Sequence, residues 1–466
     1  MPSPRSRPDA PPRLAGLRVV VVGAARSGLA LARFLVSRQA RVVLTDRQPA
    51  ETLPPEVRAL EREGVVLELG GHRDATFTGA DLVAVSPGVP LSIAPIAAAR
   101  RAGVRVVAEI ELASWFLKGI VVGITGTNGK STTTALTAHL LAHAGLRATA
   151  CGNFGVPLTE LIPRDAPDQY YVVEMSSFQL EGIETFRPWI GALLNLSPDH
   201  QDRYDAMIAY YQAKSRLFMN QGPADHAILN RDDKEVWGLA TTLPSRVHPF
   251  SSVHDLEDGA CVVDGAIVVR SRGRASRPIP IATLPLPGSH NLENVMAALL
   301  MADLCGVPIP RSAKGLAAFR GLPHRLEKIR DLDGVAWWND SKATNVGATA
   351  KSLLSFPGRI VLILGGKDKG GDFAELGPLI RGRVTHLILM GKARDAIAAQ
   401  IGDAAPATRV PDMAAAIEAA RERAPVGGVV LLAPACASFD LYANYEERGE
   451  DFRRRVLALR PRDGTG

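Results

Sequence analysis

The 466-residue chain is poor in the features that would tie it to a secreted, membrane-spanning or nucleic-acid-binding role. Its four cysteines, Cys151, Cys261, Cys305 and Cys436, lie far apart and include no Cys-x-x-Cys pair. That spacing argues against a zinc site or a disulfide framework and fits a reducing cytoplasm. Aromatic residues make up only 5% of the chain, too few for a base-stacking surface. No uninterrupted apolar run approaches the ~20 residues that cross a bilayer, so membrane insertion is not expected. Met1 to Arg13 is rich in Pro and Arg but lacks the apolar centre of a secretory signal, and residues 1–16 read as a disordered tail. The net charge of +6 is spread over scattered arginines, Arg453-Arg454-Arg455 apart. An acidic, phosphorylated small molecule suffices as its partner, and nucleic acid is not expected.

An apolar content of 46% with 22% charged residues is ordinary globular composition, and the length predicts about three domains. Three α/β segments follow from the pattern. In residues 17–109 a buried-type strand over Leu17 to Val22 runs into Gly23-Ala-Ala-Arg-Ser-Gly28 and a periodic helix. Further strands end on Asp46 and on Ser86-Pro87-Gly88, as in a mononucleotide-binding βαβ domain. A dinucleotide fingerprint would need glycine where Ala25 stands, which argues against NAD. Residues 110–321 predict a parallel-sheet, ATPase-like domain with a smaller β-rich part and a hairpin turn at Asp264-Gly265. Residues 322–466 predict another doubly wound sheet, with strands over Ile360 to Leu364, His386 to Met390 and Val429 to Leu432.

The most informative run is Gly123-Ile-Thr-Gly-Thr-Asn-Gly-Lys-Ser-Thr-Thr-Thr134, which joins an apolar strand to a helix. Gly126 and Gly129 let backbone N–H groups approach an anion, the helix N-terminus adds its positive end, and Lys130 supplies charge. Ser131 is the expected hydroxyl ligand of Mg²⁺. Ile124 replaces the first glycine of the strict phosphate loop, so the loop is a compact Gly-x-x-Gly-Lys-Ser variant. Glu174 ends a strand, where an acid beside a phosphate loop can hold Mg²⁺, although a surface glutamate also fits that position. A loop after the next strand gathers Asp199, His200 and Asp202. Lys214 falls in a helical stretch over Tyr204 to Asn220, where a solvated lysine is the default reading. Asp46 is either a nucleotide contact or a simple turn residue. Asp340 follows a strand, placed to accept from a ribose or an adenine edge, and Lys342 and Thr344 follow it. Gly365-Gly-Lys-Asp-Lys369 is a second glycine turn bearing cations. Ala433 to Ser438 reads as small residues opening a helix, a second anion-friendly N-terminus.

Taken together these motifs resemble the Mur ligase family of ATP-dependent amino-acid ligases. The markers are Gly126-Thr-Asn-Gly-Lys-Ser-Thr, Glu174-Met-Ser-Ser-Phe-Gln, Asp199-His200, Tyr211-Gln-Ala-Lys214, His290-Asn291, Pro323-His-Arg325, Asn339-Asp-Ser-Lys-Ala-Thr-Asn345 and Ala435-Cys-Ala-Ser438. They run in order from about Leu17 to the C-terminus. Within the family the pattern is most similar to the branch that adds D-glutamate to UDP-N-acetylmuramoyl-L-alanine. Asn128 stands where the L-alanine-adding branch would have His, and the Asp-Asn-Pro-Arg signature of the diaminopimelate- or lysine-adding branch is absent. Folylpolyglutamate synthases usually follow the loop lysine with Gly, where this chain has Ser131.

The resemblance implies a mechanism in which ATP phosphorylates the substrate carboxylate and the amine of D-glutamate attacks the acyl phosphate. It implies ATP contacts from Gly126, Thr127, Asn128, Gly129, Lys130, Ser131, Thr132, Asn291, Arg325 and Asp340. Two Mg²⁺ ions would be held by Ser131, Glu174, His200 and Lys214, the last as a CO₂-derived carbamate. Lys130, His200 and Lys214 would be catalytic. Asp46, Arg47, Ser86, Gly88 and Asn153 match positions for the UDP substrate. Lys342, Thr344, Lys369, Ser438 and Tyr445 match positions for D-glutamate, with Tyr445 where some relatives have Phe. A monomer whose third domain closes over ATP is expected. L-Glutamate or another acceptor in the same fold, and a non-catalytic nucleotide-binding regulator, are the alternatives that the loop motifs leave open.

Overall fold

The computed structural model describes residues 11–197, 204, 206–271, 273–368 and 370–462. The first sheet has strands β1 (Arg18–Val22), β2 (Arg41–Asp46), β3 (Val66–Leu69), β4 (Leu82–Val85) and β5 (Arg105–Ala108). They are parallel, in the order β3-β2-β1-β4-β5. Val19 to Val22 and Val83 to Val85 are buried, as expected for strands covered on both faces. The helix Arg26–Ser37 packs Leu31, Phe34 and Leu35 onto one of those faces. Strand order reverses at β1, so a crevice opens beyond the ends of β1 and β4, where open α/β sheets take their ligands.

The second sheet contains β6 (Ile120–Thr125), β7 (Ala148–Gly152), β8 (Tyr170–Glu174), β9 (Ile190–Leu193), β10 (His226–Asn230), β11 (Arg246–Ser251) and β12 (Gly259–Val263), all parallel. Its antiparallel edge adds β13 (Ala266–Ser271), β14 (Arg274–Ala275) and β15 (Ile279–Pro280). The order is β14-β13-β12-β11-β10-β9-β6-β8-β7, with β15 also on β13. Asp264 and Gly265 both take positive φ, 47° and 73°, and turn β12 back as β13, the conformation a two-residue hairpin requires. Strand β6 lies between β8 and β9, so the glycine-rich loop leaves the interior of the sheet rather than its edge.

The third sheet has β16 (Glu327–Leu332), β17 (Val335–Asn339), β18 (Ile360–Gly365), β19 (Val384–Met390), β20 (Ala407–Arg409) and β21 (Val429–Leu432). Its order is β16-β17-β21-β18-β19-β20, parallel except for β16 against β17.

The described chain forms two compact units: residues up to Thr283 with Glu293–Ala317, and Leu284–Leu292 with the chain from Ala318 onward. The first unit joins two sheets through the helix Glu109–Ser114. Both of its glutamates are buried and satisfied. Glu109 Oε1 accepts from the Thr159 backbone N–H and hydroxyl, both at 2.9 Å. Glu111 accepts from the backbone N–H groups of Glu184, Thr185 and Phe186 and from the Trp115 indole. Burial alone would raise a carboxyl's pKa, and it does so for Glu109 despite these donors.

Two sequence expectations need correction. Leu14, inside the expected disordered tail, is buried in the core of the first unit, and Gly16 donates to the Gln39 carbonyl at 2.9 Å. Hydrophobic burial therefore fixes the chain at Leu14 to Gly16. Ala433 to Ser438 does not open a helix. Ala435 has φ 57°, Ala437 exchanges backbone hydrogen bonds with Lys367 at 2.8 and 3.0 Å, and the next helix is Tyr445–Ala458. Cross-chain pairing wins there over local propensity.

Candidate active site

The phosphate loop is shaped by two glycines and braced by two asparagines. Gly126 has φ 152° and Gly129 φ 83°, both costly for a residue with a Cβ. A Cβ on Gly129 would lie 2.1 Å from Asn294 Oδ1, which also accepts from the Thr133 hydroxyl at 3.1 Å. Asn195 Oδ1 accepts from Asn128 N–H at 2.8 Å, its Nδ2 donates to the Asn128 carbonyl at 3.2 Å, and its own carbonyl accepts from Thr127 N–H. Ser131 is buried and Thr132 half-buried in the first turn of the helix Lys130–His143.

Both lysines singled out in this part of the chain reach the loop. Lys130 Nζ donates to the carbonyls of Gly126 and Thr127, at 2.9 and 2.8 Å. Lys214 is only 1% exposed, contrary to the solvated default for a helical lysine. Its Nζ donates to the Gly126 carbonyl at 2.8 Å and stands 4.6 Å from the centre of the Tyr210 ring. The helix Met207–Ser215 carries it inward because Tyr210, Ala213 and Lys214 share its buried face.

Glu174 lies beside this loop, since Ile124 and Glu174 are partners in the β6–β8 ladder. It is 2% exposed. Asn153 Nδ2 donates to its Oε1 at 2.8 Å, while its Oε2 is buried with no hydrogen-bond partner among the described residues. A buried orphan carboxylate oxygen is costly, and a cation or an ordered water would satisfy it. The donor set of Glu174 and the Ser131 hydroxyl beside a phosphate cradle is the hard-oxygen chemistry that Mg²⁺ takes. No group of three or more His, Cys, Asp and Glu side chains suited to a metal is present among the described residues. His200, with Asp199 and Asp202, lies outside them.

In the first sheet, Asp46, Arg47, Ser86 and Gly88 line one cavity of about 350 Å³, together with Gly23, Ala25, Gln48 and His72. Asp46 accepts from two backbone N–H groups. Its Oδ1 accepts from Gln48 N–H at 2.8 Å as a turn residue, and its Oδ2 from Ala24 N–H at 2.7 Å across the first βα turn. Ser86 Oγ donates to the Gly23 carbonyl at 3.2 Å. Asn153 is placed on Glu174 and is not among the residues lining this cavity. Arg26 Nη1 donates to the Gly155 carbonyl at 2.9 Å and so links the first βα turn to the loop bearing Asn153.

In the second unit, Asp340 accepts a hydrogen bond from Ser352 Oγ. Burial pushes its carboxyl up to about 6, against the opposing pull of Ser352 and Arg325. Lys342 Nζ stands 3.8 Å from the centre of the Tyr445 ring, a cation–π distance. Thr344 is half-buried in the same loop, and Ser438 is buried. Asn291 Nδ2 donates to the Pro287 carbonyl at 2.7 Å at the start of the helix Ser289–Leu304. Lys369 lies outside the described residues. Asn195, Asn294 and His72 were not singled out from sequence. Asn195 could have been, since it follows a strand and opens the loop that faces the phosphate turn.

Comparison with known proteins covers nearly the whole chain. Residues 17–108 match the Mur ligase MurD-like N-terminal domain, 124–302 the Mur ligase middle domain and 324–436 the Mur ligase glutamate ligase domain. The chain is 45% identical to the UDP-N-acetylmuramoylalanine–D-glutamate ligase of Geotalea uraniireducens, covering 96% of this chain and 98% of the relative. It is 49% identical to the enzyme of that name from Anaeromyxobacter dehalogenans, with 96% and 98% covered. Its fold is similar to the UDP-N-acetylmuramate-alanine ligase MurC of Thermotoga maritima, with TM-score 0.60, 18% identity and 95% and 99% of the chains covered. The Thermotoga maritima MurF ligase in complex with ADP gives TM-score 0.58 at 16% identity, with 89% and 95% covered.

Proposed function

Because the chain belongs to the Mur ligase family, we propose that it adds D-glutamate to UDP-N-acetylmuramoyl-L-alanine at the expense of ATP, in the cytoplasmic synthesis of peptidoglycan precursors. The observation that carries this reading is the convergence of Lys130, Lys214 and Glu174 on one glycine-shaped phosphate loop. A site that must bring several anions together needs fixed cations and backbone donors more than it needs a nucleophile.

The loop N–H groups and Lys130 hold the ATP phosphates and neutralise the charge that develops on the phosphoryl group in transfer. The substrate carboxylate attacks the γ-phosphorus, the bond to the ADP oxygen breaks, and an acyl phosphate forms. The amine of D-glutamate then attacks the acyl carbon, gives up a proton, and phosphate leaves from the tetrahedral intermediate as the amide forms. The family is ATP-dependent; Mg²⁺ bound by Ser131 and Glu174 would supply charge neutralisation at the phosphates. Glu174 Oε2, buried with no hydrogen-bond partner among the described residues, fits that role, with Asn153 orienting the carboxylate. His200 and a carbamate on Lys214 would complete a second ion site.

The cavity beyond β1 and β4, with Asp46, Arg47, Ser86 and Gly88, takes the uridine end of the substrate. Asn291, Arg325 and Asp340 bind the adenine nucleotide. Lys342, Thr344, Lys369, Ser438 and Tyr445 bind the acceptor amino acid. The test is phosphate release from Mg-ATP in CO₂-equilibrated buffer. Turnover requiring both UDP-N-acetylmuramoyl-L-alanine and D-glutamate is expected. Equal turnover with L-glutamate, or ATP binding without turnover, would overturn the reading.

A further inference from the structure

The second unit encloses a guanidinium for which the reaction outlined above has no use. Arg448, in the helix Tyr445–Ala458, is 1% exposed. Its Nε donates to Ser341 Oγ at 3.0 Å and its Nη2 to the Ser341 carbonyl at 2.9 Å. Nη1 and Nη2 both donate to the Cys436 carbonyl at 3.2 Å. Among the described residues no carboxylate forms an ion pair with it. Burial pushes its pKa down to about 10, so the cation is held at a desolvation cost. A buried charge that satisfies its donors on neutral carbonyls of separate loops is a weak contributor to stability but a strong geometric constraint.

Each contact sits within two residues of the acceptor site. Ser341 precedes Lys342, and its hydroxyl in turn donates to the Tyr445 carbonyl at 2.8 Å. Cys436 precedes Ala437, which pairs with Lys367, and Ser438 follows. A Cβ on Gly366 would lie 3.1 Å from Arg448 Nη1, so the glycine turn also closes over the guanidinium. One planar fork thus ties together the loops that carry Lys342 and Ser438 and the helix start that carries Tyr445, and the Lys367 turn joins them through Ala437.

We propose that Arg448 is the positioning residue of the acceptor amino-acid site, setting the spacing of Lys342, Tyr445 and Ser438 without touching the substrate. The assignment of that site to D-glutamate rests on the function proposed above; the gathering of the loops does not. A lysine at position 448 would keep the charge but lose the fork that reaches two carbonyls and a hydroxyl at once.

Two measurements on the full chain test this with Arg448→Lys and Ser341→Ala, each checked for folding by its thermal transition. Amide hydrogen exchange in residues 339–345 and 434–439 should rise on the order of tenfold in Arg448→Lys, with the other sheets unchanged. The KM for D-glutamate should rise on the order of tenfold, and that for ATP and for the UDP substrate by less than about twofold. Ser341→Ala, which leaves the guanidinium in place, should show a smaller shift in the same direction and carries the test if Arg448→Lys does not fold. Unchanged exchange in both segments, or a parallel rise in all three KM values, would overturn the proposal. A wild-type chain that ignores D-glutamate would instead overturn the functional reading, and the exchange data would still decide whether Arg448 gathers the loops.

Discussion

Lys130 and Lys214 donate to the same acceptor, the Gly126 carbonyl oxygen, at 2.9 and 2.8 Å. Their nitrogens therefore lie no more than about 6 Å apart. Two ammonium groups at that distance repel by ~3 kcal/mol at an effective dielectric near 20. Capture of CO₂ by Lys214 would exchange this repulsion for attraction and make an oxygen ligand out of a cation. Lys214→Arg keeps the charge but cannot form a carbamate, so kcat should fall on the order of 100-fold or more with the fold intact. In ¹³CO₂-equilibrated wild type, a carbamate carbon resonance should be present and should be lost in this variant. Its absence from active wild-type protein would remove the carbamate from the mechanism.

Lys130 faces the phosphates in this scheme rather than the acceptor. Lys130→Met should lower kcat on the order of 1000-fold while the KM for D-glutamate stays within about threefold. Steady-state phosphate release measures both. A loss confined to the D-glutamate KM would contradict the assignment.

Glu174 Oε2 has no hydrogen-bond partner among the described residues although the atom is buried. Glu174→Gln removes the charge and keeps the shape, so the Mg²⁺ concentration for half-maximal turnover should rise at least on the order of tenfold. Asn153→Ala leaves the carboxylate but frees its orientation, and a smaller shift in the same titration is expected. An unchanged Mg²⁺ dependence in Glu174→Gln would place the ion elsewhere.

Asp340 gives a pH-dependent prediction with a definite sign. Its folded pKa of about 6 lies above the ordinary 3.8, so the folded chain holds this proton more tightly than the unfolded chain. Stability then falls as pH rises from about 4 to 6, and the penalty is complete above 6. A shift of ~2 units corresponds to at most ~3 kcal/mol. Asp340→Asn should therefore gain stability relative to wild type at pH 7.5 and not at pH 4, read from urea transitions at the two pH values. In the same variant the KM for ATP should rise, because the amide loses the negative charge and puts an NH₂ donor where one of the two acceptor oxygens stood.

Much of the candidate site was legible because a glycine-shaped anion cradle depends on local backbone. Glycines at 126 and 129, a strand before and a helix after them are consecutive in the chain, and Glu174, Asp340 and Ser86 each announce themselves by closing an apolar run. Lys214 was not legible in the same way. Its helix reads as amphipathic with a broad apolar face, and only the packing of Tyr210 and Ala213 shows that the lysine lies on the buried side. Ala433 to Ser438 misled for a related reason. Small residues after a strand suit a helix start, but pairing with Lys367 in the glycine turn outweighs that local preference.

Sequence alone determined the three-sheet α/β plan, the phosphate loop and the family, since each rests on periodicity or on residues within a few positions of one another. Tertiary structure alone decided which polar groups became partners. It set Asn195 and Asn294 against the phosphate loop, Asn153 against Glu174, and Arg448 beneath the loops of Lys342 and Ser438. The separations between these partners range from 12 to 161 residues, and no local pattern encodes them. Burial does: a polar group taken out of water must find its complement in the fold, and that complement is known only once the sheets have brought distant loops together.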